Sequence, residues 1–194
     1  MSILFTGFEP FDGAVVNPSW EAVCRVPDAI AGRQVHRLRL PVVYGGAAAL
    51  LQAEIARLRP EVVISCGVAQ NRTAITPELV AINYRYARIA DNAGQRFTGQ
   101  PIAPDGPAAC MTALPVHRML DALQAAGIPA HLSLSAGAYV CNDVYYALLS
   151  CEKVYGHRGL FVHVPGEEAV DSATAARALT LCAEAAFVAQ QENE

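Results

Sequence analysis

Short apolar runs alternate along this chain with amphipathic, alanine- and leucine-rich stretches, and this alternation constrains the fold more than any other feature. The apolar runs predict strands at residues 3–5, 35–43, 62–66, 131–134 and 160–164. Because most of these runs are continuous rather than alternating with polar residues, they fit a largely parallel sheet covered on both faces. We therefore predict an α/β fold, a single-domain α/β/α sandwich with a mostly parallel central sheet.

The stretches between the strands predict helices at about residues 18–25, 46–58, 115–126, 142–155 and 171–190. Pro18 suits the first position of a helix with Asn17 as its N-cap, and Gly127 is a typical helix stop. The 194 residues contain no internal repeat and no linker, so we predict one domain over residues 1–194. In such sheets reactive groups gather beyond the carboxyl ends of the strands.

Composition and charge exclude several classes of protein. A content of 53% hydrophobic and 16% charged residues is too apolar for a disordered chain, and a net charge of −4 with scattered Lys and Arg does not favour a nucleic-acid partner. No apolar run is long enough to cross a membrane, and residues 1–7 lack the features of a signal peptide. We expect most of the six cysteines to be reduced, buried thiols in a cytoplasmic protein, with no zinc site.

Cys141 comes where a turn of small residues leads from the predicted strand at 131–134 into the next helix. A helix N-terminus carries unpaired N–H groups and a partial positive charge, which would favour the thiolate and could bind an oxyanion. We therefore consider Cys141 a candidate nucleophile. A buried, inert thiol is the alternative for a cysteine at such a turn.

His163 stands at the end of an apolar run and directly before a loop. The other histidines fall on predicted polar faces or at the ends of elements: His36, His117, His131 and His157. A cysteine nucleophile that hydrolyses amides needs a proton shuttle, usually a histidine. Because consecutive parallel strands are usually neighbours, we expect His163 to lie beside the strand that leads to Cys141. A hydrogen-bonded structural histidine is the alternative.

Glu78 is flanked by apolar residues, where a carboxylate is costly unless it is paired. It is therefore a candidate for the group that orients the histidine, although a solvent-facing glutamate on an alternating strand fits the local pattern too. Three acidic residues lie nearer to His163 in the sequence, in a loop that we expect to be exposed: Glu167, Glu168 and Asp171. The residues alone leave this choice open.

Phe8 and Phe11 lie in a Gly/Pro-rich segment after the first predicted strand, shortly before Asn17. They either cap the core or form an aromatic pocket at the carboxyl end of that strand. The segment is not a phosphate-binding loop, because the lysine and the glycine spacing of such loops are missing.

Five ordered blocks of sequence resemble one known family, the type I pyroglutamyl peptidases, also called pyrrolidone-carboxylate peptidases. The blocks cover nearly the whole length of the chain. They are Gly7-Phe8-Glu9-Pro10-Phe11 with Asn17-Pro18-Ser19-Trp20-Glu21, residues 75–83, Ala87-Arg88-Ile89 with Asp91-Asn92, residues 135–142, and Phe161-Val162-His163-Val164-Pro165.

The resemblance implies a cysteine exopeptidase, an omega peptidase, that hydrolyses the amide bond after the N-terminal pyroglutamyl residue of peptides and proteins. It implies a thioester acyl-enzyme, with Cys141 as nucleophile, His163 as general base and acid, and Glu78 as the orienting carboxylate. It also implies an α/β/α sandwich and a reaction that needs no metal or organic cofactor. Members of the family that form tetramers suggest a homo-oligomer, a homotetramer.

The resemblance further implies which residues bind the substrate. These residues are Phe8, Phe11, Asn17, Tyr139 and, for charge stabilisation, Arg88. Some positions depart from the family pattern: Gln70-Asn71 replaces a glycine pair, Leu79 replaces a basic residue, Tyr139 replaces an aromatic residue that is often Phe, and the tail after Pro165 is short. We expect these departures to affect substrate affinity and subunit contacts more than the reaction.

Two other functions remain as alternatives. Related α/β/α folds host nucleoside phosphorylase-like transferases, which would need a phosphate site. A binding protein could have kept the pocket and lost turnover. Turnover that is sensitive to thiol reagents separates the peptidase from both.

Overall fold

The computed structural model describes residues 1–191, so the last three residues of the predicted domain at 1–194 lie outside the described residues. Ten strands are present in this range: β1 (Ser2–Phe8), β2 (Ala29–Ile30), β3 (Arg33–Leu40), β4 (Val62–Val68), β5 (Thr76–Glu78), β6 (Val80–Ile82), β7 (Arg85–Tyr86), β8 (Thr98–Gln100), β9 (Ala109–Met111) and β10 (Arg158–Val164). Six helices accompany them: α1 (Pro18–Arg25), α2 (Gly46–Leu58), α3 (Val116–Ala125), α4 (Val140–Ser150), α5 (Glu152–Tyr155) and α6 (Ser172–Gln191).

The central sheet has six strands in the order β2-β3-β1-β4-β10-β5. The four inner strands β3, β1, β4 and β10 are parallel to one another, whereas β2 and β5 are short antiparallel strands at the two edges. The predicted α/β class and mostly parallel sheet are therefore confirmed. All four inner strands direct their carboxyl ends toward the same edge of the sheet.

Helices cover both faces of the sheet because the central strands β1, β4 and β10 are buried on both sides. In β1, Ile3 and Phe5 pack into the core beneath α1, α3 and α6, whereas Leu4 and Phe8 pack into the core beneath α2 and α4. The α1 helix begins as expected, since Asn17 accepts a hydrogen bond from the Ser19 backbone N–H at 3.0 Å and Pro18 occupies the first turn.

The predicted strand at residues 131–134 is wrong. The segment forms only two isolated parallel bridges to the neighbourhood of β5, at Ala130 and Ser133. Leu134 is 66% exposed, and although Ala130 and Leu132 pack against the core, β5 is the one strand with which this segment pairs in the described residues. The same pairing places β5 between this segment and β10, which corrects the expectation that the two would be direct neighbours.

Residues 79–111 leave the central sheet and form two small antiparallel pairs, β6 with β9 and β7 with β8. Asn142, fully buried in the first turn of α4, fixes this excursion to the helix. Its Oδ1 accepts from the Ile82 backbone N–H at 2.9 Å, and its Nδ2 donates to the Ile82 carbonyl at 2.8 Å. The start of α4 is therefore held on two sides, by the sheet below and by this excursion.

Candidate active site

Cys141 lies in the first turn of α4, beyond the carboxyl ends of β4 and β10. Gly67 on β4 makes room for its sulfur: a Cβ at Gly67 would come within 2.8 Å of both Cys141 Sγ and Phe161 Cζ. The sulfur thus occupies the space that any side chain at position 67 would fill. A glycine at this point of a buried strand is therefore a requirement of the site.

His163 is the register partner of Gly67 across the β4–β10 pair. Side chains alternate along a strand, so His163 projects from the same face of β10 as Phe161, and the two ring centroids are 4.8 Å apart. Adjacent strands are separated by about 4.8 Å. The sulfur of Cys141 lies over Gly67 of β4, and the imidazole of His163 projects from the neighbouring strand β10. Both groups therefore lie on the same face of the sheet.

Glu78 reaches His163 from the edge strand β5. Its Oε1 is 2.7 Å from His163 Nδ1, and both side chains are almost completely buried. Because an ionised carboxylate only accepts, Nδ1 carries the proton and Nε2 is left as the basic nitrogen. Residues 167, 168 and 171, the sequence-nearer rivals, do not fill this position: Glu167 and Asp171 instead accept hydrogen bonds from residues 172 and 174 at the start of α6.

Arg72 is a member of this cluster that the sequence reasoning missed. Its Nη1 lies 2.6 Å from Glu78 Oε1 and also contacts Thr76 Oγ1, while the second oxygen, Glu78 Oε2, is buried without a hydrogen-bond partner. The signal in the sequence was indirect: a buried carboxylate needs a cation, and Arg72 is the basic residue nearest to Glu78 along the chain.

Burial, together with the smaller effect of the negative charge of Glu78, raises the pKa of the Cys141 thiol to about 12, although Arg72 and the backbone N–H of Cys141 act in the opposite direction. This corrects the expectation that the helix N-terminus would favour the thiolate at rest. Loss of hydration outweighs the partial charge of the helix end. The resting nucleophile is a neutral thiol that needs a base.

Burial lowers the pKa of His163 below its ordinary value, against the opposing effect of the hydrogen bond and charge of Glu78. The imidazole is therefore neutral at neutral pH and able to accept a proton. A neutral thiol and a neutral imidazole on the same face of the sheet could act as a pair in which the proton moves as the bond to a substrate forms.

A cavity of about 300 Å³ opens beside Cys141. It is lined by Phe8, Phe11, Asn17, Val42, Val68, Tyr139, Val140 and Cys141. Four of the five residues predicted to bind substrate thus meet at the candidate nucleophile. The cavity is small and largely apolar, and it suits one flat ring rather than an extended side chain.

Asn17 combines two roles in this cavity. Its Oδ1 accepts from both the backbone and the side chain of Ser19, and its Nδ2 donates to the Glu9 carbonyl at 2.9 Å. An amide nitrogen has two N–H groups, so one donor of Asn17 is left for a ligand. The N-cap of α1 is at the same time a rigidly held polar group in an aromatic cavity.

Tyr139 is fixed in the cavity wall by a hydrogen bond from its hydroxyl to the Ala90 carbonyl at 3.0 Å and by an edge-to-face contact with Tyr44. Its ring also lies 6.3 Å from that of Phe11. Burial raises the pKa of the Tyr139 hydroxyl to about 12, so the ring stays neutral. The rings of Phe11 and Tyr139 together form an apolar part of the cavity wall.

Arg88 is exposed and is not among the residues that line the cavity. A neighbouring arginine, Arg85, does form an ion pair: its Nε lies 2.6 Å from Asp143 Oδ1 in α4. The predicted role of Arg88 in charge stabilisation remains a prediction. His157 lies at an element end, as expected, directly before β10; it is buried and contacts the Leu148 carbonyl.

Replacing Gly67 by alanine is expected to lower kcat about 100-fold, because the new methyl group would displace Cys141 Sγ by the better part of an ångström. Steady-state kinetics and a thermal melt of the purified variant check this. Gly46→Ala, at the start of α2, is the matched control, since the nearest atom to a Cβ there would be in the Val43 side chain, at 3.3 Å. A folded Gly67→Ala enzyme with normal kcat would refute the placement of the sulfur over Gly67.

A largely buried thiol, a neutral imidazole and a carboxylate on an α/β/α scaffold are the groups expected of a hydrolase of the cysteine-peptidase class. The family model for pyroglutamyl peptidase matches residues 1–189. The chain therefore belongs to the pyroglutamyl peptidase family, in agreement with the resemblance seen in the sequence.

Relatives in several bacteria agree with this assignment. The chain is 46% identical over 167 residues to a pyrrolidone-carboxylate peptidase of Levilactobacillus brevis, covering 85% of this chain and 82% of the relative. It is 44% identical over 189 residues to that of Klebsiella pneumoniae, covering 91% and 88%. The crystal structure of Bacillus amyloliquefaciens pyroglutamyl peptidase I superposes with a TM-score of 0.89 at 36% identity, over 95% of this chain and 96% of that one.

Three further features of residues 1–191 bear on function. No helix in this range has both the length and the apolar character needed to cross a membrane. Within the same range, no group of three or more His, Cys, Asp and Glu side chains is arranged to hold a metal ion. All six cysteines are free; Cys66, Cys151 and Cys182 are buried, Cys110 and Cys141 are partly exposed, and Cys24 is exposed.

Proposed function

We propose that this enzyme hydrolyses the amide bond after an N-terminal pyroglutamyl residue through a Cys141-His163-Glu78 triad and a thioester acyl-enzyme. The contact between His163 Nδ1 and Glu78 Oε1 at 2.7 Å carries the proposal. It leaves His163 Nε2 free on the face of the sheet where Cys141 Sγ lies over Gly67. Substrates are peptides and proteins that begin with pyroglutamate.

Acylation begins when the thiol proton of Cys141 passes to His163 Nε2 and the sulfur attacks the pyroglutamyl carbonyl carbon. The imidazolium that forms is stabilised by Glu78, which accepts from the other ring nitrogen. His163 then donates this proton to the leaving nitrogen, the C–N bond breaks and the shortened peptide departs as an amine. A thioester between Cys141 and the pyroglutamyl group remains.

The negative oxygen of the tetrahedral intermediate is bound by backbone N–H groups at the start of α4. The N–H groups of Asn142 and Asp143 already donate to the Tyr139 carbonyl, at 3.0 and 3.2 Å. Those of Val140 and Cys141 come before the first intrahelical bonds, and both residues line the cavity. These two N–H groups are the donors that we assign to the oxyanion.

Deacylation reverses the roles. His163 Nε2 takes a proton from water as the water oxygen attacks the thioester, and the proton returns to the sulfur when the C–S bond breaks. Pyroglutamic acid leaves and the neutral thiol is restored. Because this cycle uses only side chains and water, it requires no metal or organic cofactor.

The cavity suits the pyroglutamyl ring. This ring is a flat, neutral lactam, so the aromatic side chains of Phe8, Phe11 and Tyr139 can contact its faces, while the remaining N–H of Asn17 can donate to its carbonyl. Proline has a similar ring without that carbonyl and would leave the polar group unpaired. We expect discrimination on the order of 10⁴ against a prolyl substrate.

The pH dependence of kcat/KM is expected to show an acid limb with its midpoint below about 6.5, the ordinary histidine pKa. Burial holds the pKa of His163 below its usual value, so the neutral, proton-accepting form persists as the pH falls and activity is lost only when the pH passes through that lowered pKa. Initial rates at subsaturating substrate over a pH series measure it. A midpoint clearly above 6.5 would contradict the buried, neutral base.

The proposed activity is tested by hydrolysis of pyroglutamyl p-nitroanilide against prolyl p-nitroanilide, with and without prior treatment with iodoacetamide. Because Cys24 is also exposed, the Cys24→Ala variant serves as the control for alkylation away from the site. We expect cleavage of the pyroglutamyl compound alone, abolished by the alkylator in both proteins. Absence of cleavage by folded, reduced enzyme would reject the peptidase in favour of a binding protein.

We also propose, from the resemblance alone, that the enzyme forms a homo-oligomer, a homotetramer, and acts in the cytoplasm. Light scattering coupled to size-exclusion chromatography tests the first statement. A monomer at micromolar concentration would reject it.

A further inference from the structure

An open groove of about 980 Å³ adjoins the active site. Its walls come from three segments of chain, and the cavity for the pyroglutamyl ring does not include any of its residues. The lining residues are Val16, Pro18, Gln70, Asn71, Arg72, Thr73, Gly166, Glu167, Glu168 and Ala169. Nothing in the catalytic cycle proposed above uses this groove.

Each wall segment is tied to a different part of the active site. Val16 and Pro18 flank Asn17, which lines the ring cavity. Arg72 lies in the groove wall and contacts Glu78 Oε1 at 2.6 Å. The third segment starts at Gly166, three residues after His163. The groove therefore begins where the ring cavity ends, on the side of the histidine that protonates the leaving amine.

Resting on the proposed function, we infer that this groove binds the part of a substrate peptide that follows the pyroglutamyl residue, and that it favours a cationic side chain there. The scissile bond lies at Cys141, so the chain beyond it must leave the ring cavity past His163. The groove lies on the side of the ring cavity where His163 stands, so the peptide can continue into it. Its volume is large enough for an extended peptide segment.

The chemistry of the walls fits a peptide. Gln70 and Asn71 are exposed and their amide side chains make no hydrogen bond within the described part of the chain, so they can pair with peptide N–H and carbonyl groups. Val16, 59% exposed, offers an apolar contact beside them.

The charges of the walls favour a basic side chain over an acidic one. Arg72 is neutralised by Glu78, and the Glu167 carboxylate accepts two hydrogen bonds from Ser172. Glu168 is exposed and has no such partner in the described residues. Its carboxylate is therefore left to pair with a ligand, beside the negative charge that Glu167 also carries. Because the site is exposed to solvent, the preference for a cation is expected to be modest, about fivefold.

Two variants test this inference with two kinds of substrate. Pyroglutamyl p-nitroanilide places only its compact leaving group at the entrance of the groove, whereas pyroglutamyl pentapeptides that carry lysine or glutamate at the second, third or fourth position extend along it. Ala169→Trp narrows the groove at an exposed position, and Glu168→Lys reverses the charge of that side chain. Glu184→Lys, at an exposed glutamate of α6 that does not line the groove, is the matched control.

We expect Ala169→Trp to lower kcat/KM for the pentapeptides about tenfold or more while changing that for the p-nitroanilide less than twofold. The wild-type enzyme should prefer lysine over glutamate about fivefold at one of the tested positions, and Glu168→Lys should reverse that preference. Glu184→Lys should leave every ratio unchanged.

Three results would overturn the inference while the p-nitroanilide is still cleaved. They are equal losses for both kinds of substrate, no loss for either, or a change of oligomeric state in Ala169→Trp, which would make the groove a subunit contact. Failure of the wild-type enzyme to cleave the p-nitroanilide would instead reject the proposed function itself.

Discussion

The Cys141→Ala variant is expected to fold normally and to lose on the order of 10⁶-fold in kcat, because no other group near His163 can form the covalent intermediate. Cys141 is a partly exposed residue in the first turn of α4, and the hydrogen bonds that fix this turn come from its neighbours, such as Asn142 to Ile82. Loss of the thiol should therefore leave the thermal midpoint nearly unchanged. Turnover of pyroglutamyl p-nitroanilide measures the effect.

The control for this variant is Cys24→Ala, which removes an exposed thiol at the far end of α1 and should keep full activity. The pair separates the loss of one particular sulfur from the general effect of removing a cysteine. Residual activity of Cys141→Ala within tenfold of the wild type would exclude Cys141 as the nucleophile.

Replacing Glu78 by glutamine is expected to lower kcat about 10⁴-fold. The change is nearly isosteric, but the amide can present its N–H₂ group to His163 and then favour the tautomer with the proton on Nε2, where the base is needed. It also removes the charge that stabilises the imidazolium and that neutralises Arg72, 2.6 Å away. Binding of the substrate should change far less, so the loss should appear in kcat rather than in KM.

Glu54→Gln is the matched control for Glu78→Gln. Glu54 on α2 makes an ion pair of the same length with Arg57, 2.6 Å, but it has no contact with His163. Circular dichroism should show that both variants are folded, and only Glu78→Gln should lose activity. A small effect of Glu78→Gln on kcat in folded protein would remove Glu78 from the triad and leave His163 oriented by another group.

The sequence was most informative where local pattern and burial agree. The apolar runs that became β1, β4 and β10 could be read directly, because a strand buried on both faces has few polar residues. From those strands followed the position of His163 at a carboxyl end. The turn before α4 likewise placed Cys141 at the start of a helix.

Other parts of the site depend on tertiary contacts that leave little trace in local sequence. β5 is three residues long and contains Pro77, so its pairing with β10 could not be predicted from a pattern, and only the resemblance favoured Glu78 over its rivals. Arg72 was missed because its importance follows from the burial of Glu78. The predicted strand at 131–134 failed because this segment meets β5 through isolated bridges alone and has no strand on its other side in the described residues.

The pKa of Cys141 shows the same limit. The helix N-terminus is visible in the sequence and favours a thiolate, but the burial that raises the thiol pKa to about 12 arises from packing around Gly67, Phe161 and the ring cavity. Which of these two effects on the thiol pKa is larger can be decided only from the packing distances around the sulfur. The raised thiol pKa favours a mechanism in which the proton moves from Cys141 to His163 during attack, rather than one that starts from a thiolate–imidazolium ion pair.

The central claim, a thioester on Cys141, is tested most directly by acid quenching of the wild-type enzyme during turnover of a pyroglutamyl ester, followed by mass spectrometry of the intact protein and of its peptides. The account predicts a fraction of enzyme heavier by one pyroglutamyl acyl group, with the addition located on the peptide that contains Cys141 and absent from Cys141→Ala. An addition on another residue, or a pre-steady-state burst of alcohol release without any acylated enzyme, would contradict it.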